Sequence, residues 1–418
     1  MEKFNINGFN ICMLPDNRLK TAAFIVYIRT PLNLNSASEN ALIPAVLTRG
    51  CEKYPETKDL NIALEELFGA TVSFHVEKQG AYQVISMKFK TVADCYANEC
   101  KPFSNLMALA FEVLFSPLVE NGGFRKSYTD REKEVQMQFL DGLKNDKRKW
   151  ASIRLIKEMC KDEEYSISAA GEKDNVQRIT EKSLYEAYLN LLKSAKISFY
   201  VTDNFEKDNV LPLLQSLLSD KKAQAGEVKD TYIKKSAEIK MVEDVEPVTQ
   251  GKLAIGLRTT ITRKDNRYYA MMLFNRLYGG SPYSKLFLNV REKLSLAYYA
   301  SSTYNSHKGL VVVSSGIEFK NYEPAKNEIL AQLKEMQQGN FTLEEIENAK
   351  LDIKDTFTGI ADYGELLADF DFALNSAGVE DTPQDVIDKV MAVTKEEIVD
   401  AANTVFVDTI YFLKGENE

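Results

Sequence analysis

At about 100–200 residues per domain, a chain of 418 residues is expected to hold two to four domains, and its 44% hydrophobic and 27% charged residues are ordinary globular usage. A formal net charge of -9 argues against a protein that neutralises nucleic-acid phosphates. The only two histidines, His75 and His307, stand in opposite halves of the sequence, which excludes a zinc site with two or three histidines on one helix.

The N-terminal stretch lacks a basic start followed by an apolar core, so no secretory signal is expected. No run approaches the roughly 18 apolar residues of a membrane span. Five cysteines, an odd number, suit a reduced, cytoplasmic chain. Cys95 and Cys100 are close together, but no second thiol or imidazole pair follows at ligand spacing.

The first predicted element is a strand over Ala22–Arg29, a short β-branched run. A helix follows over residues 40–49, packed by Ala41, Leu42, Ala45 and Val46, with Pro44 in its first turn and Gly50 as its stop. Thr57 is a candidate N-cap for a second helix, whose apolar positions Leu60, Ala63, Leu64 and Leu67 recur at helical spacing before Gly69. Two alternating runs, Ala70–Val76 and Tyr82–Lys90, flank Gly80 as a hairpin. Helical patterns fill about residues 96–193 up to a strand at Ile197–Thr202.

The second half repeats the order: a strand at Leu253–Thr260, a helix over Arg267–Tyr278, a glycine pair, a helix over Ser284–Leu294, and strands at Ala297–Tyr304 and Leu310–Ile317 around a turn at His307–Gly309. Helical patterns over about 322–403 lead to a last strand at Thr409–Leu413. The halves therefore read as one duplicated α+β unit. Two homologous domains are expected, 1–218 and 240–418, each a mixed, largely antiparallel sheet with helices on one face. The polar, lysine-rich segment 219–239 reads as their linker.

The most specific stretch is Leu277–Tyr299, LYGGSPYSKLFLNVREKLSLAYY. It reads as a tight glycine turn at Gly279 and Gly280, an amphipathic helix and a strand. Arg291 on the helix and Tyr298 on the strand can converge at the junction, and strand alternation puts Tyr298 on one face with Ala300, Ser302 and Tyr304. A planar cation and a phenol suit a carbonyl oxygen on which negative charge grows. The plain structural alternative pairs Arg291 with a surface carboxylate and packs Tyr298 in the core.

The glycine turn, the helix and the R-x6-Y spacing resemble the second-domain signature of the M16 (insulinase or pitrilysin-type) metallopeptidases. The run Thr342–Lys350 (TLEEIENAK) is similar to that family's second-domain helix start, and Thr342 with Glu345 forms an S/T-x-x-E capping box on its own account. The resemblance implies that Arg291 and Tyr298 hold a substrate main-chain carbonyl and the oxyanion formed from it, with Gly279 and Gly280 shaping the loop beside them.

Active members of the family carry an HxxEH helix, whose histidines bind zinc and whose glutamate activates water. Aligned on Gly50, those positions fall on Ala41, Pro44 and Ala45. The third ligand, a glutamate that follows an R-E-x-x-V helix resembling Arg131–Val135, falls on Phe139. The resemblance therefore implies a chain that binds no metal and has no catalytic residue of its own. It would be the non-catalytic subunit of a heterodimer, with zinc in an HxxEH-bearing M16 partner and a peptide as substrate. Rival readings are a scaffold that has lost peptidase function and a peptide-binding homodimer of the isolated chain.

The remaining candidates have plain readings. His75 shares a strand face with Thr71 and Ser73, and His307 lies in a turn; both read as solvated or structural. Trp150, after the basic run Lys144–Lys149, reads as a packed indole on a solvated helix, with a partner-docking anchor as the alternative. The acid clusters Asp162–Glu164 and Glu344–Glu347 read as exposed helix ends.

Overall fold

The computed structural model describes residues 1–222 and 238–416; residues 223–237 of the expected linker lie outside the described part. In chain order the elements are β1 (Glu2–Ile6), β2 (Phe9–Pro15), β3 (Thr21–Pro31), α1 (Ala37–Leu47), α2 (Thr57–Glu66), β4 (Thr71–Gln79), β5 (Tyr82–Val92), α3 (Pro102–Phe115), a two-residue pair β6 (Val119–Glu120) and β7 (Gly123–Phe124), α4 (Lys126–Gly142), α5 (Lys147–Met159), α6 (Lys173–Arg178), α7 (Glu181–Ser194), β8 (Lys196–Asp203) and α8 (Lys207–Leu217). There follow β9 (Lys240–Val245), β10 (Gly251–Arg258), α9 (Tyr268–Asn275), β11 (Ala297–Asn305), β12 (Leu310–Ile317), α10 (Tyr322–Gln337), α11 (Leu343–Ala361), α12 (Gly364–Ser376), α13 (Pro383–Ala392), α14 (Lys395–Asn403) and β13 (Phe406–Lys414). They form two compact units: Met1–Gly142 with Ile167–Asp230 and Tyr363–Asp369, and Leu143–Ser166 with Thr231–Asp362 and Phe370–Glu418.

The first unit is built on a six-stranded sheet of order β1-β2-β8-β3-β5-β4, antiparallel except between β2 and β8. Alternate residues of β3, Ala22, Phe24, Val26 and Ile28, enter one core with Phe111 of α3, Leu184 of α7 and Leu214 of α8. This is the period-2 pattern of a sheet face covered by helices. Gly80 turns the β4–β5 hairpin at φ +58°.

Two predicted details differ. Helix α1 starts at Ala37, so Pro44 sits in its interior and cannot donate to the carbonyl a turn earlier. Thr57 is the first helical residue of α2, with Glu56 in the cap position, and its hydroxyl donates to Arg49 O at 2.8 Å.

On the sheet's other face lie residues Tyr363–Asp369. Tyr27 Oη donates to Asp369 Oδ1 at 2.5 Å, and Lys88 and Lys90 pair with Asp369 and Glu365 at 2.7 and 2.8 Å. Asp203, at the end of β8, is 1% exposed with φ +73°. Its Oδ2 accepts from Thr21 Oγ1 at 3.2 Å, while its buried Oδ1 has no hydrogen-bond partner among the described residues. A Cβ on Gly364 would stand 2.0 Å from that oxygen, so only glycine fits there.

The second unit holds a five-stranded sheet of order β11-β12-β10-β13-β9, antiparallel except between β13 and β9. Leu253, Ile255 and Leu257 of β10 and Val311 and Val313 of β12 face a core with α9, α10, α11, α13 and α14. Threonines set the starts of three of those helices. In α11, Thr342 Oγ1 accepts from Glu345 N at 3.1 Å and Glu345 Oε2 accepts from Thr342 N at 2.6 Å, the expected capping box; Thr382 with Asp385 and Thr394 with Glu397 do the same for α13 and α14.

The other face of this sheet receives α5. Ala151 and Leu155 pack on Ala254, Tyr411 and Leu413, with Trp150 half-buried alongside, as its packed-indole reading requires. Gly256 makes room for α5, since a Cβ there would lie 2.5 Å from Met159 Sδ. In the acid cluster that follows, Asp162 is exposed as expected but Glu163 is not. Glu163 is fully buried, 2.6 Å from Arg258 Nη2 and 2.9 Å from Lys308 Nζ, because two buried cations need an anion.

Candidate functional site

The site begins with a helix that anchors itself by its apolar positions. Leu286 and Val290 are fully buried, which turns the neighbouring Arg291 outward. The segment Leu286–Lys293 is wound as a π-helix, as is Arg276–Gly280 before it. Its wide turns close with Leu294 N donating to Asn289 O at 3.1 Å, a geometry often found at functional positions. Ser295 takes a left-handed conformation at φ +51°, which swings the chain into β11.

The start of β11 is bulged. Ala297 pairs with Ile317 and Tyr299 with Gly316, leaving Tyr298 as the extra residue. Simple alternation therefore fails: Ala300 and Ser302 are buried, whereas Tyr298 is 58% exposed and is no core residue. The bulge is what releases its ring from the sheet.

Arg291, Ser295, Tyr298, Glu318 and Asn321 line a cleft of about 370 Å³. Tyr298 Oη donates to Glu318 Oε1 at 3.4 Å, and Lys320 holds Glu318 at 2.8 Å. The Lys320 contact keeps the Glu318 carboxyl below its ordinary range. Among the described residues the one ion-pair contact of Arg291 is with the adjacent Glu292 at 3.4 Å, and its guanidinium lies 4.6 Å from the Phe287 ring centroid. An exposed pair of this kind contributes about 0–1 kcal/mol, so it competes weakly with an incoming oxygen. The cleft thus offers guanidinium and phenol donors to a carbonyl or carboxylate oxygen.

The glycine pair packs against β11, the following helix and Asn275, and is not among the residues that line the cleft. A Cβ on Gly279 would stand 2.6 Å from Ser302 N and 2.8 Å from Leu286 Cδ1, so its absence lets strand and helix close up. Gly280 similarly clears Asn275, whose Oδ1 accepts from Ser302 Oγ at 2.8 Å.

The positions aligned with a zinc site stand on α1 and α4. Ala41, Pro44 and Ala45 are buried, and Phe139 is 54% exposed. The two helices are joined by Arg49 and the buried Glu132, with Nε to Oε1 at 2.6 Å. Methyl groups, a pyrrolidine and a phenyl ring carry no lone pair for a divalent cation, so these residues do not fit zinc. Among the described residues, no three or more His, Cys, Asp or Glu side chains gather as a metal site.

His75 is exposed on edge strand β4, and His307 lies in the β11–β12 turn. Cys95 and Cys100 are exposed; Cys12, Cys51 and Cys160 are buried, and no disulfide joins any of them among the described residues. No helix among the described residues is long and apolar enough to cross a membrane. Sequence reasoning missed Glu318 as the partner of Tyr298. Its signal was the β11–β12 register, which sets residue 317 opposite residue 297.

Residues 178–352 match the family model of the peptidase M16 inactive domain. Over 410 residues, 98% of this chain and 96% of the relative, the chain is 35% identical to a Bacillus subtilis (strain 168) protein named "Probable inactive metalloprotease YmfF". A conserved protein from Enterococcus faecalis V583 shares the fold at a TM-score of 0.92 and 27% identity, covering 99% of this chain and 98% of that one. A peptidase M16 inactive domain from Pseudomonas fluorescens does so at 0.79 and 16%, with the same coverage.

Proposed function

Because this chain belongs to the M16 peptidase family, as an inactive, metalloprotease-like member, we propose that it is the non-catalytic subunit of a heterodimeric zinc peptidase. The partner is an M16 subunit with an HxxEH helix, whose zinc polarises the peptide bond and activates water. This chain supplies Arg291 and Tyr298, which bind the substrate carbonyl and stabilise the oxyanion formed from it. Gly279 and Gly280 shape the loop beside the site. The substrate is a peptide or an unfolded segment, and cysteines without disulfides suit the reducing cytoplasm.

The observation that carries this reading is that Arg291 and Tyr298 open into one cleft, Arg291 held by a 3.4 Å contact with Glu292 and Tyr298 by a long 3.4 Å hydrogen bond to Glu318 that an incoming oxygen can displace. Ala41, Pro44, Ala45 and Phe139 leave the chain dependent on a partner for its metal. The test is to co-purify the chain with an HxxEH subunit from its own cells and to follow cleavage of an unfolded peptide. Arg291→Ala and Tyr298→Phe each lower kcat by about 10²-fold, the cost of one lost oxyanion donor, with association unchanged. Unaltered kcat in both variants, or a chain that recruits no HxxEH subunit, overturns the proposal.

A further inference from the structure

The outer face of the second sheet carries an unusual concentration of positive charge on one ring. Tyr299 lies flat against Gly316, where a Cβ would be 2.5 Å from the ring. The Arg148 guanidinium, from the first turn of α5, sits 4.3 Å from the ring centroid, and Lys252 Nζ, from β10, sits 5.9 Å away. Both cations are held by neutral acceptors: Arg148 Nη2 donates to Ser301 Oγ at 3.1 Å and Lys252 Nζ to Gln250 Oε1. Neither forms an ion pair with any carboxylate among the described residues. Burial and the neighbouring Arg148 lower the Lys252 pKa, while Asp146 opposes them.

Two like charges held against one ring, neither of them ion-paired among the described residues, disfavour the free protein, and that disfavour falls when an anion bridges them. We propose that Arg148 and Lys252, both held against the Tyr299 ring, form a binding site for a peptide carboxylate. Asp146, spent on capping Arg148 N and Lys149 N at 3.1 and 3.0 Å, offsets one of the two positive charges nearby. The surplus of about one unit suits a monoanionic carboxylate better than a dianionic phosphate. The site needs no metal and no partner subunit.

The sole tryptophan, Trp150, follows Arg148 by two positions on α5 and serves as the reporter. The purified chain is titrated with acetyl-Ala-Ala-Phe as free acid, the same peptide as its amide, acetyl-Ala-Glu-Ala amide and inorganic phosphate. Trp150 fluorescence and calorimetry follow each titration. Saturable binding of the free acid at least tenfold tighter than the amide assigns the site to a C-terminal carboxylate; equally tight binding of the glutamate peptide extends it to side chains. Arg148→Met and Lys252→Met each abolish this preference, whereas Arg291→Ala keeps it, which separates the site from the carbonyl cleft. The proposal falls if acid and amide bind alike in the unmodified chain, if the methionine variants bind as it does, or if phosphate binds more tightly than the acid.

Discussion

Replacing Glu163 by Gln tests whether the buried charges beneath α5 act as a balanced set. Glu163 and Lys308 have no exposed side-chain surface, and Arg258 and Asp408 have little. Arg258 bridges the two acids at 2.6 and 2.7 Å, and Lys308 closes on the second oxygen of Glu163 at 2.9 Å. The two cations and two anions sum to zero. The amide introduced by Glu163→Gln keeps the shape but leaves a buried positive charge unmatched, and removal of one partner from such a set costs about 3–5 kcal/mol. Removing the matching cation as well restores neutrality, so Glu163→Gln with Lys308→Met is expected to be about 1–2 kcal/mol more stable than Glu163→Gln alone. Urea unfolding, followed by far-UV circular dichroism and Trp150 fluorescence on the same samples, gives each value. A Glu163→Gln cost below about 1 kcal/mol, or losses that simply add in the double variant, would refute the charge-balance reasoning.

Glycines separate by what surrounds them: Gly279→Ala pushes a Cβ against Ser302 N and costs about 1–3 kcal/mol, whereas Gly359→Ala, in open space inside α11, adds up to about 1 kcal/mol to the urea-derived stability. Thr394→Ala removes the cap of α14 and lowers stability by about 1 kcal/mol, recovered by Ser at the same position. Burial raises the Asp203 carboxyl above the ordinary aspartate value of about 3.9, so its protonated form is favoured in the fold. The native state then binds more protons than the unfolded chain, and this contribution is complete below about pH 3.9 and is lost as pH rises through the raised value. Asp203→Asn, which tolerates the left-handed backbone, is expected to flatten stability against pH in that window; an unchanged slope would show that Asp203 is not its source.

Local chemistry made much of the architecture readable. The alternation of Tyr82–Lys90 beside Gly80 yields the β4–β5 hairpin, and Thr342 with Glu345 yields the start of α11. Strands β1 and β2 went unpredicted although Asn7-Gly8 is a strong hairpin signal; both residues have positive φ, as that tight turn demands. The bulge at Tyr298 has no local signature, because it arises where β11 must satisfy its β12 pairing and the left-handed Ser295 together. Burial of Glu163 depends on Arg258 and Lys308, both far away in sequence, so a run of acids read alone looks like a solvated end. Periodicity also shows that α5 has an apolar face without telling which sheet receives it.

That last point bears on how the chain is made. Helix α5 leaves the ribosome early, yet β13, which supplies Tyr411 and Leu413 beneath it, follows roughly 250 residues later, on the order of 10–50 s at about 5–20 residues per second. Ala151 and Leu155 can meet Ala254 once β10 is made but lack Tyr411 and Leu413 until the end of that interval, and the second unit cannot finish around its own late strands without a segment synthesised long before. Residues Tyr363–Asp369 impose the reverse delay on the first sheet, whose last strand, β8, is complete by Asp203. Neither half can mature as an independent N-to-C module; biosynthesis binds their completion together, and the nascent chain must be shielded from aggregation for that time.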